Sequence, residues 1–481
     1  MKMTNMKRIN KLKYAGTACV LLALASCAPA IVQKNENASV PASYATSTDT
    51  INSGKVKWKD FFSDSHLNAL IDLALVNNQE LNITLQEIQI AKNEIRARKG
   101  EYLPFVGLQA GAGLDKVSRY TSKGASEAIS EITPGKEIPE PLQDYKVGAY
   151  ATWEADIWGK LHNAKKSAVK KYLSTVEGKN FVVTNLVAEI ANSYYELLAL
   201  DSQLDIVNKN IGIQTNALEI VKLEKQSARA TELAVQRFEA QVLNTKSLQY
   251  TILQSITETE NKINFLVGRY PQHVDRDSKI FENLIPKTVY AGIPSQLLEN
   301  RPDVKQAELD LAAAKLDVKV AKARFYPSLG IAAGVGLQAF NPSYLLKTPQ
   351  SLVYSLAGDL VAPLVNRNAI KASYYNANAK QIQAVYNYER TILNAYIEVA
   401  NQMAKVSNLE KSYGLKSKEV DALNLSVDIS NNLFRSARAD YMEVLLTQRD
   451  ALESKFELIE TKKQQMNALV NIYHALGGGW N

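Results

Sequence analysis

From Ile392 to Phe434 every seventh residue is apolar: Ile392, Val399, Val406, Tyr413, Val420, Val427 and Phe434. Most residues between them are polar or charged, no proline interrupts the run, and Gly414 is its only glycine. A repeat of seven keeps one seam of a helix facing a neighbour, because a coiled helix makes a turn every 3.5 residues. The pattern recurs half a chain earlier in Ile190, Leu197, Leu204, Ile211 and Leu218. The spacing predicts two long coiled-coil helices, one in each half.

Each long helix follows the same series of shorter elements. Trp58-Lys59-Asp60-Phe61-Phe62 leads into a helix with its seam at Leu67, Ala74, Leu81, Ile88 and Ile95. It ends before Pro104, since the residue preceding a proline disfavours helical backbone. The period then changes from seven to two. Val106, Leu108, Ala110, Ala112 and Leu114 make an apolar face opposite Gly107, Gln109, Gly111, Gly113 and Asp115. A loop from Lys116 to Gln143 carries Pro134, Pro139 and Pro141, a length typical of functional or mobile segments. A second alternating run follows in Tyr145, Val147, Ala149, Ala151 and Trp153. Trp158-Gly159-Lys160 opens the first long helix, which runs to about Gln226 and turns at Ser227-Ala228-Arg229-Ala230. A return helix ends at Gly268, and residues 269–300, with Pro271, Pro286 and Pro294, read as an irregular linker.

The series then repeats. Val304, Leu311, Val318 and Phe325 form a seam, Pro327 ends the helix, and Leu329, Ile331, Ala333, Val335 and Leu337 alternate with small residues. A short loop, Phe340 to Gln350, precedes a fourth strand of Leu352, Tyr354, Leu356 and Leu360. Pro363 opens the second long helix, which turns at Ser436-Ala437-Arg438-Ala439 and returns to Gly477. The two turn tetrapeptides are identical, and each lies 41 residues before its terminal glycine. The chain is therefore a duplication of 58–268 in 301–477, joined by 269–300, with a tail of 478–481.

Pro363 to Ser436 spans 73 residues, about 110 Å of helix, far beyond the usual globular length. The strands suit lipid on one face and water on the other, at the length that crosses a bilayer. Soluble sandwich strands also alternate, but here the apolar faces lack polar outer partners and the glycine-rich faces fill no core. Four strands cannot close a transmembrane barrel, whose smallest form has eight, and open edges are not tolerated in lipid. Three copies sharing one barrel would supply twelve. The fold class read from the pattern is mainly α with a membrane β-barrel: long coiled-coil helices and four transmembrane strands per chain.

The amino terminus reads as a secretory signal. A basic stretch to Lys13 precedes an apolar one, Ala15 to Ala25, too short for a permanent membrane helix. It ends in Leu24-Ala25-Ser26-Cys27, which resembles the bacterial lipoprotein box. The expectation is a signal peptide over 1–26, acyl chains on Cys27, and an extended lipid-anchored tether over 27–57, a stretch rich in Ser, Thr, Asn, Ala and Pro. Cys19 lies inside the signal, so processing leaves one cysteine and no intrachain disulfide. The net charge of +7 is misleading, because five basic residues and no acid fall in the signal. The remainder carries 51 basic and 49 acidic residues, which gives no electrostatic case for nucleic acid.

Several longer motifs carry a resemblance. They are Trp58 to Phe62 with Asp64, Trp153-Glu154-Ala155-Asp156-Ile157-Trp158-Gly159-Lys160, and Gly292-Ile293-Pro294-Ser295. Leu297-Leu298-Glu299-Asn300-Arg301-Pro302-Asp303 follows, with an alanine-rich helix to Phe325-Tyr326-Pro327. The sequence resembles the TolC-like outer membrane efflux proteins, in the lipoprotein branch that partners resistance-nodulation-division pumps. The resemblance covers essentially the whole mature chain. It implies a homotrimer in outer-membrane lipid, a long coiled-coil helical barrel of twelve helices across the periplasm, continuous with a twelve-stranded transmembrane β-barrel. It implies conduction of drugs or other toxic small molecules from an inner-membrane pump and a periplasmic adaptor. No energy-supplying site and no cofactor beyond the lipid on Cys27 is implied.

The candidate functional residues follow from that picture. Arg301, Pro302 and Asp303 are the family motif. Ser227, Ala228, Arg229 and Ala230, with Ser436, Ala437, Arg438 and Ala439, are the expected periplasmic tips. Arg229 and Arg438 there are placed to meet partner carbonyls or carboxylates. The family often has glycine where this chain has Ala228 and Ala437. Asp421 and Asp428, seven apart and within about three turns of Ser436, are candidates for a periplasmic gate, since three copies would form acidic triads that hold cations. Both are equally solvent-facing coiled-coil positions.

Catalysis is not expected. His66, His162, His273 and His474 have no metal-ligand spacing, and neither a phosphate loop nor a nucleophile elbow is present. A type I protein-secretion duct would use the same architecture. A lipid-anchored stalk or adhesin would explain the heptads and Cys27, but not glycine-faced strands in duplicate.

Overall fold

The structure is a computed structural model that describes residues 28–44, 50–363, 367–436 and 438–480. Cys27 and Ala437 lie outside the described residues, as does the expected signal over 1–26. Ten α-helices and six strands are assigned among the described residues. They are α1 (Trp58–Phe61), α2 (Ser65–Asn77), α3 (Gln79–Tyr102), β1 (Phe105–Asp115), α4 (Ser122–Glu127), β2 (Glu131–Thr133), β3 (Lys136–Glu137) and β4 (Leu142–Ala155). Next come α5 (Lys160–Gln226), α6 (Glu232–Leu266), α7 (Gln296–Asn300), α8 (Pro302–Ala323), β5 (Ser328–Ala339), β6 (Leu352–Val361), α9 (Asn368–Arg435) and α10 (Tyr441–Ala475). The chain is mainly helical, with one four-stranded antiparallel sheet in the order β1-β4-β5-β6.

Contacts divide the chain into two compact units, and each takes residues from both halves of the duplication. The first comprises residues up to 35, 89–173 and 309–385; the second comprises 36–88, 174–308 and 386 onward. The first unit holds the sheet and the helix ends that join it. Val318, Ala321, Phe325 and Tyr374 form a small core there, against which Ala28 and Ile31 pack.

The second unit holds the main core. Ile190 and Leu197 of the predicted seam are fully buried with Leu67, Ile71, Phe281, Met466 and Tyr473. On α9, Ile392, Val399 and Val420 are buried, and Val406, Tyr413, Val427 and Phe434 are half-buried. The seven-residue reading therefore selects the packed seam of both long helices.

One expectation needs correction, and two others gain detail. The first shorter helix is two helices, α2 and α3, because Asn78 leaves helical backbone at ψ 126°. Its side chain accepts from Leu81 N at 2.9 Å and donates to Leu266 O at 2.9 Å, a capping role that a heptad count does not detect. The 116–143 loop contains short elements: Thr121 caps α4, and β2 pairs with β3. The 269–300 linker is largely irregular, and it also packs into the core. Val274 and Phe281 are fully buried, and Arg276 grips Asp201 at 2.6 and 3.0 Å.

The described parts of the 28–57 segment are held by the rest of the chain. In the first unit Asn378 Nδ2 donates to Val32 O at 3.2 Å and Gln381 Nε2 to Lys34 O at 2.8 Å. In the second, Tyr44 stacks on Tyr396 with ring centres 5.3 Å apart.

Candidate functional site

The strand alternation becomes two sheet faces. Leu108, Leu114, Tyr354, Leu356 and Leu360 are exposed by 66% or more on the apolar face. The other face carries Gln109, Lys146, Tyr150, Gln338 and Ser355 around a shallow cavity. Gly148 and Gly336 lie opposite one another in the β4–β5 ladder. A Cβ on Gly148 would sit 2.8 Å from the Gly336 Cα, and one on Gly336 would meet the Gly148 Cα at the same distance. Glycine at both positions is thus a packing requirement of the ladder. β1 and β6 are the outer strands, so each presents one unpaired edge within the chain. Among the described residues, no helix is long and apolar enough to cross a membrane.

Where strands meet helices, aromatic side chains fix the joints. Trp158 donates to Pro327 O at 2.7 Å and stacks on Tyr326. Trp153 donates to Tyr102 O at 3.1 Å. Such rings satisfy a polar tip while keeping an apolar body at a boundary.

The first tip, Ser227 to Ala230, closes α5 with a backbone bond from Arg229 N to Glu224 O at 2.8 Å. Ala228 carries φ +57°, the left-handed conformation that glycine adopts without strain. Gly268 and Gly477 take the same role after α6 and α10, at φ +71° and +84°. Ala228 thus keeps the glycine-type turn at some conformational cost. In the second tip, Ser436, Arg438 and Ala439 are described, and Arg438 N donates to Leu433 O at 2.9 Å, the counterpart of the Arg229 bond. Arg229 and Arg438 are both exposed. Asp421 and Asp428 are exposed on α9 and form no ion pair among the described residues. Within one chain nothing gathers them into a site.

Arg301, Pro302 and Asp303 form a clamp in the second unit. Pro302 is the first residue of α8, where its missing N–H leaves no further group unpaired. Arg301, only 4% exposed, makes a two-pronged contact with Asp303 at 3.0 and 2.8 Å. Its Nη1 also donates to Glu398 Oε2 at 2.7 Å and to Ala475 O at 2.8 Å. The cation therefore sits at the carboxyl end of α10, where the helix dipole favours it, and ties that end to α9 and α8. Burial alone would raise the Glu398 carboxyl. The bond with His474 and the charge and bond of Arg301 outweigh it and hold the group at about 2. His474 also contacts Asn185 Oδ1 at 2.6 Å. Glu398 escaped the sequence reading because nothing local distinguishes it from other acids on α9. His474 was visible only as one of four scattered histidines. Among the described residues, no group of three or more His, Cys, Asp and Glu is placed to hold a metal ion.

A sequence model of the outer membrane efflux protein family matches residues 70–269 and 293–478. The pyoverdine export outer membrane protein OpmQ of Pseudomonas aeruginosa is 25% identical over 464 residues, covering 96% of each chain. The probable outer membrane lipoprotein SilC of Salmonella typhimurium is 25% identical over 476 residues, covering 98% of this chain and 99% of that protein. The open-state crystal structure of the MtrE outer membrane channel of Neisseria gonorrhoeae superposes with a TM-score of 0.82 at 21% identity, covering 95% of this chain and 99% of MtrE. Two family segments that together span most of the chain, a fold match along nearly its full length, and the two-faced sheet agree: the chain belongs to the outer membrane efflux protein family.

Proposed function

We propose that three copies of this chain join edge to edge, β6 of one beside β1 of the next, to close a twelve-stranded barrel in the outer membrane. The observation that carries this is a sheet of only four strands with two free edges and an exposed apolar face. In lipid those edges have no partner except another copy. As a member of its family the protein is an efflux conduit of the outer membrane, not an enzyme. Family members form trimeric channels that work with a periplasmic adaptor and an inner-membrane pump.

The finer reading is a conduit for drugs or other toxic small molecules, driven by a resistance-nodulation-division pump. Cys27 carries the acyl chains, and similarity to SilC, a probable outer membrane lipoprotein, supports this. Arg229 and Arg438 at the tips meet the adaptor. The Arg301–Pro302–Asp303 clamp holds the helix ends in register rather than touching cargo.

Asp421 and Asp428 form the gate, each contributing to an acidic triad in the trimer. In planar bilayers the wild-type trimer should show discrete cation-sensitive channels. Asp421→Ala with Asp428→Ala should raise single-channel conductance and weaken block by divalent cations. Unchanged conductance and unchanged block would remove the gate assignment, and absence of any channel would remove the conduit.

A further inference from the structure

The near-neutral chain hides a local imbalance in the first unit. Its four helical stretches next to the sheet are 89–104, 156–173, 309–327 and 362–385. Together they hold sixteen Lys and Arg against five Asp and Glu. The five acids are not spread evenly. Glu94 and Asp317 line a groove between the four helices, with Arg98, Lys171, Arg324 and Lys380. Asp310 lines the same groove. Glu101 lines the next cavity together with Thr152, Glu154 and Asp359. Asp156 is turned inward, its side chain 4% exposed, and accepts from the first turns of α5.

The groove side carries the ion pairs of this region, two of its four basic residues being paired. Arg98 meets Glu94 at 2.8 Å and Glu101 at 2.9 Å, and Lys171 meets Asp317 at 2.8 Å. The far side is different. At 100° per residue, Lys99, Lys166, Lys322 and Lys371 lie away from the groove, one on each helix. All four are exposed and form no ion pair among the described residues. Arg96 and Lys319 extend the same face one turn further from the sheet and are also exposed. None of the five acids lies on that face.

Its orientation relative to the sheet is fixed. Glu101 shares a cavity with the polar-face residues Thr152, Glu154 and Asp359, and Arg324 shares another with Glu154 and Val361. The groove is thus continuous with the polar sheet face, and the lysine face continues the apolar one. The segment starting at Ala28 runs on this lysine side, through the contacts of Tyr374, Asn378 and Gln381. Each lysine sits close to its strand-joining helix end, within about 9 Å along the axis. The headgroup layer is about 5–7 Å deep on each side of the hydrocarbon, and a lysine stem can extend toward it.

We propose that Lys99, Lys166, Lys322 and Lys371 form an anionic-phospholipid headgroup site on the periplasmic rim of the apolar belt. It rests on the barrel reading above and adds a lipid preference to it. The phosphate of an anionic headgroup is the complement of four unpaired ammonium groups. Three copies would complete a ring of lysines around the barrel, with the segment that follows Cys27 entering beside it.

The test uses the full-length protein in phosphatidylethanolamine vesicles with spin-labelled probe lipids. Wild type should hold spin-labelled phosphatidylglycerol in its motionally restricted shell about fivefold more tightly than spin-labelled phosphatidylethanolamine. Raising NaCl from about 0.05 to about 0.5 M should reduce that preference. Lys99→Gln with Lys166→Gln, Lys322→Gln and Lys371→Gln should bring the ratio near one, and either pair of these changes alone should give an intermediate ratio. The corresponding four arginine substitutions should keep it. Lys171→Gln with Lys380→Gln, on the groove side, should leave it unchanged. A wild type without preference, a glutamine variant that retains it, or displacement of the lipid by soluble peptidoglycan fragments would overturn the site. Failure of wild type to enter the vesicles would instead overturn the barrel reading on which the site depends.

Discussion

Arg301→Ala should destabilise the folded protein by about 3–5 kcal/mol, the usual cost of removing one partner from a buried ion pair. The substitution strands Asp303, leaves Glu398 with His474 alone, and leaves Ala475 O without its donor. Arg301→Lys should recover only part of the loss, because an ammonium cannot make the paired contact with Asp303. The same cluster gives a pH dependence. Glu398 is held at about 2, below its ordinary 4.5. A depressed carboxyl contributes stability that is full above the unfolded value and is lost as pH falls from about 4.5 toward 2. Urea titrations at pH 7 and pH 3 should therefore separate wild type from Arg301→Ala strongly at pH 7 and less at pH 3. A variant within about 1 kcal/mol of wild type at pH 7 would show that the clamp is dispensable.

Leu108→Arg should cost about 2–4 kcal/mol in each copy if its position is near the bilayer midplane. Leu108 is 88% exposed on the apolar face of β1. Gln109, the next residue, lies on the opposite face, so Gln109→Arg should cost much less and should instead change ion selectivity. Folding yield into phospholipid vesicles reads the first effect, and reversal potentials in planar bilayers read the second. Equal tolerance of both arginines would mean that neither face meets lipid.

The sequence made the long-range architecture legible because its periods are physical constraints. A repeat of seven had to face a partner, so Ile190, Leu197, Ile392 and Val399 are buried. A repeat of two had to split two environments, so Leu108 and Gln109 fall on opposite faces. The identical tips were visible because the chain is duplicated, although Ala228 showed its left-handed backbone only in the structure. Contacts made by isolated polar residues left no such pattern. Asn78 broke a helix by capping it, Arg276 drew an apparent linker into the core, and Glu398 joined a residue 97 positions away. The lysine face was hidden for a related reason: it is one lysine on each of four helices, and it balances to near neutrality in a whole-chain count.

The shared barrel is the claim on which the rest depends. The most direct measurement is the native mass of folded, detergent-extracted protein, taken on particles that also conduct in planar bilayers. The account predicts three chains in every conducting particle. A folded single chain, or a three-chain particle that leaves the bilayer sealed, would contradict it.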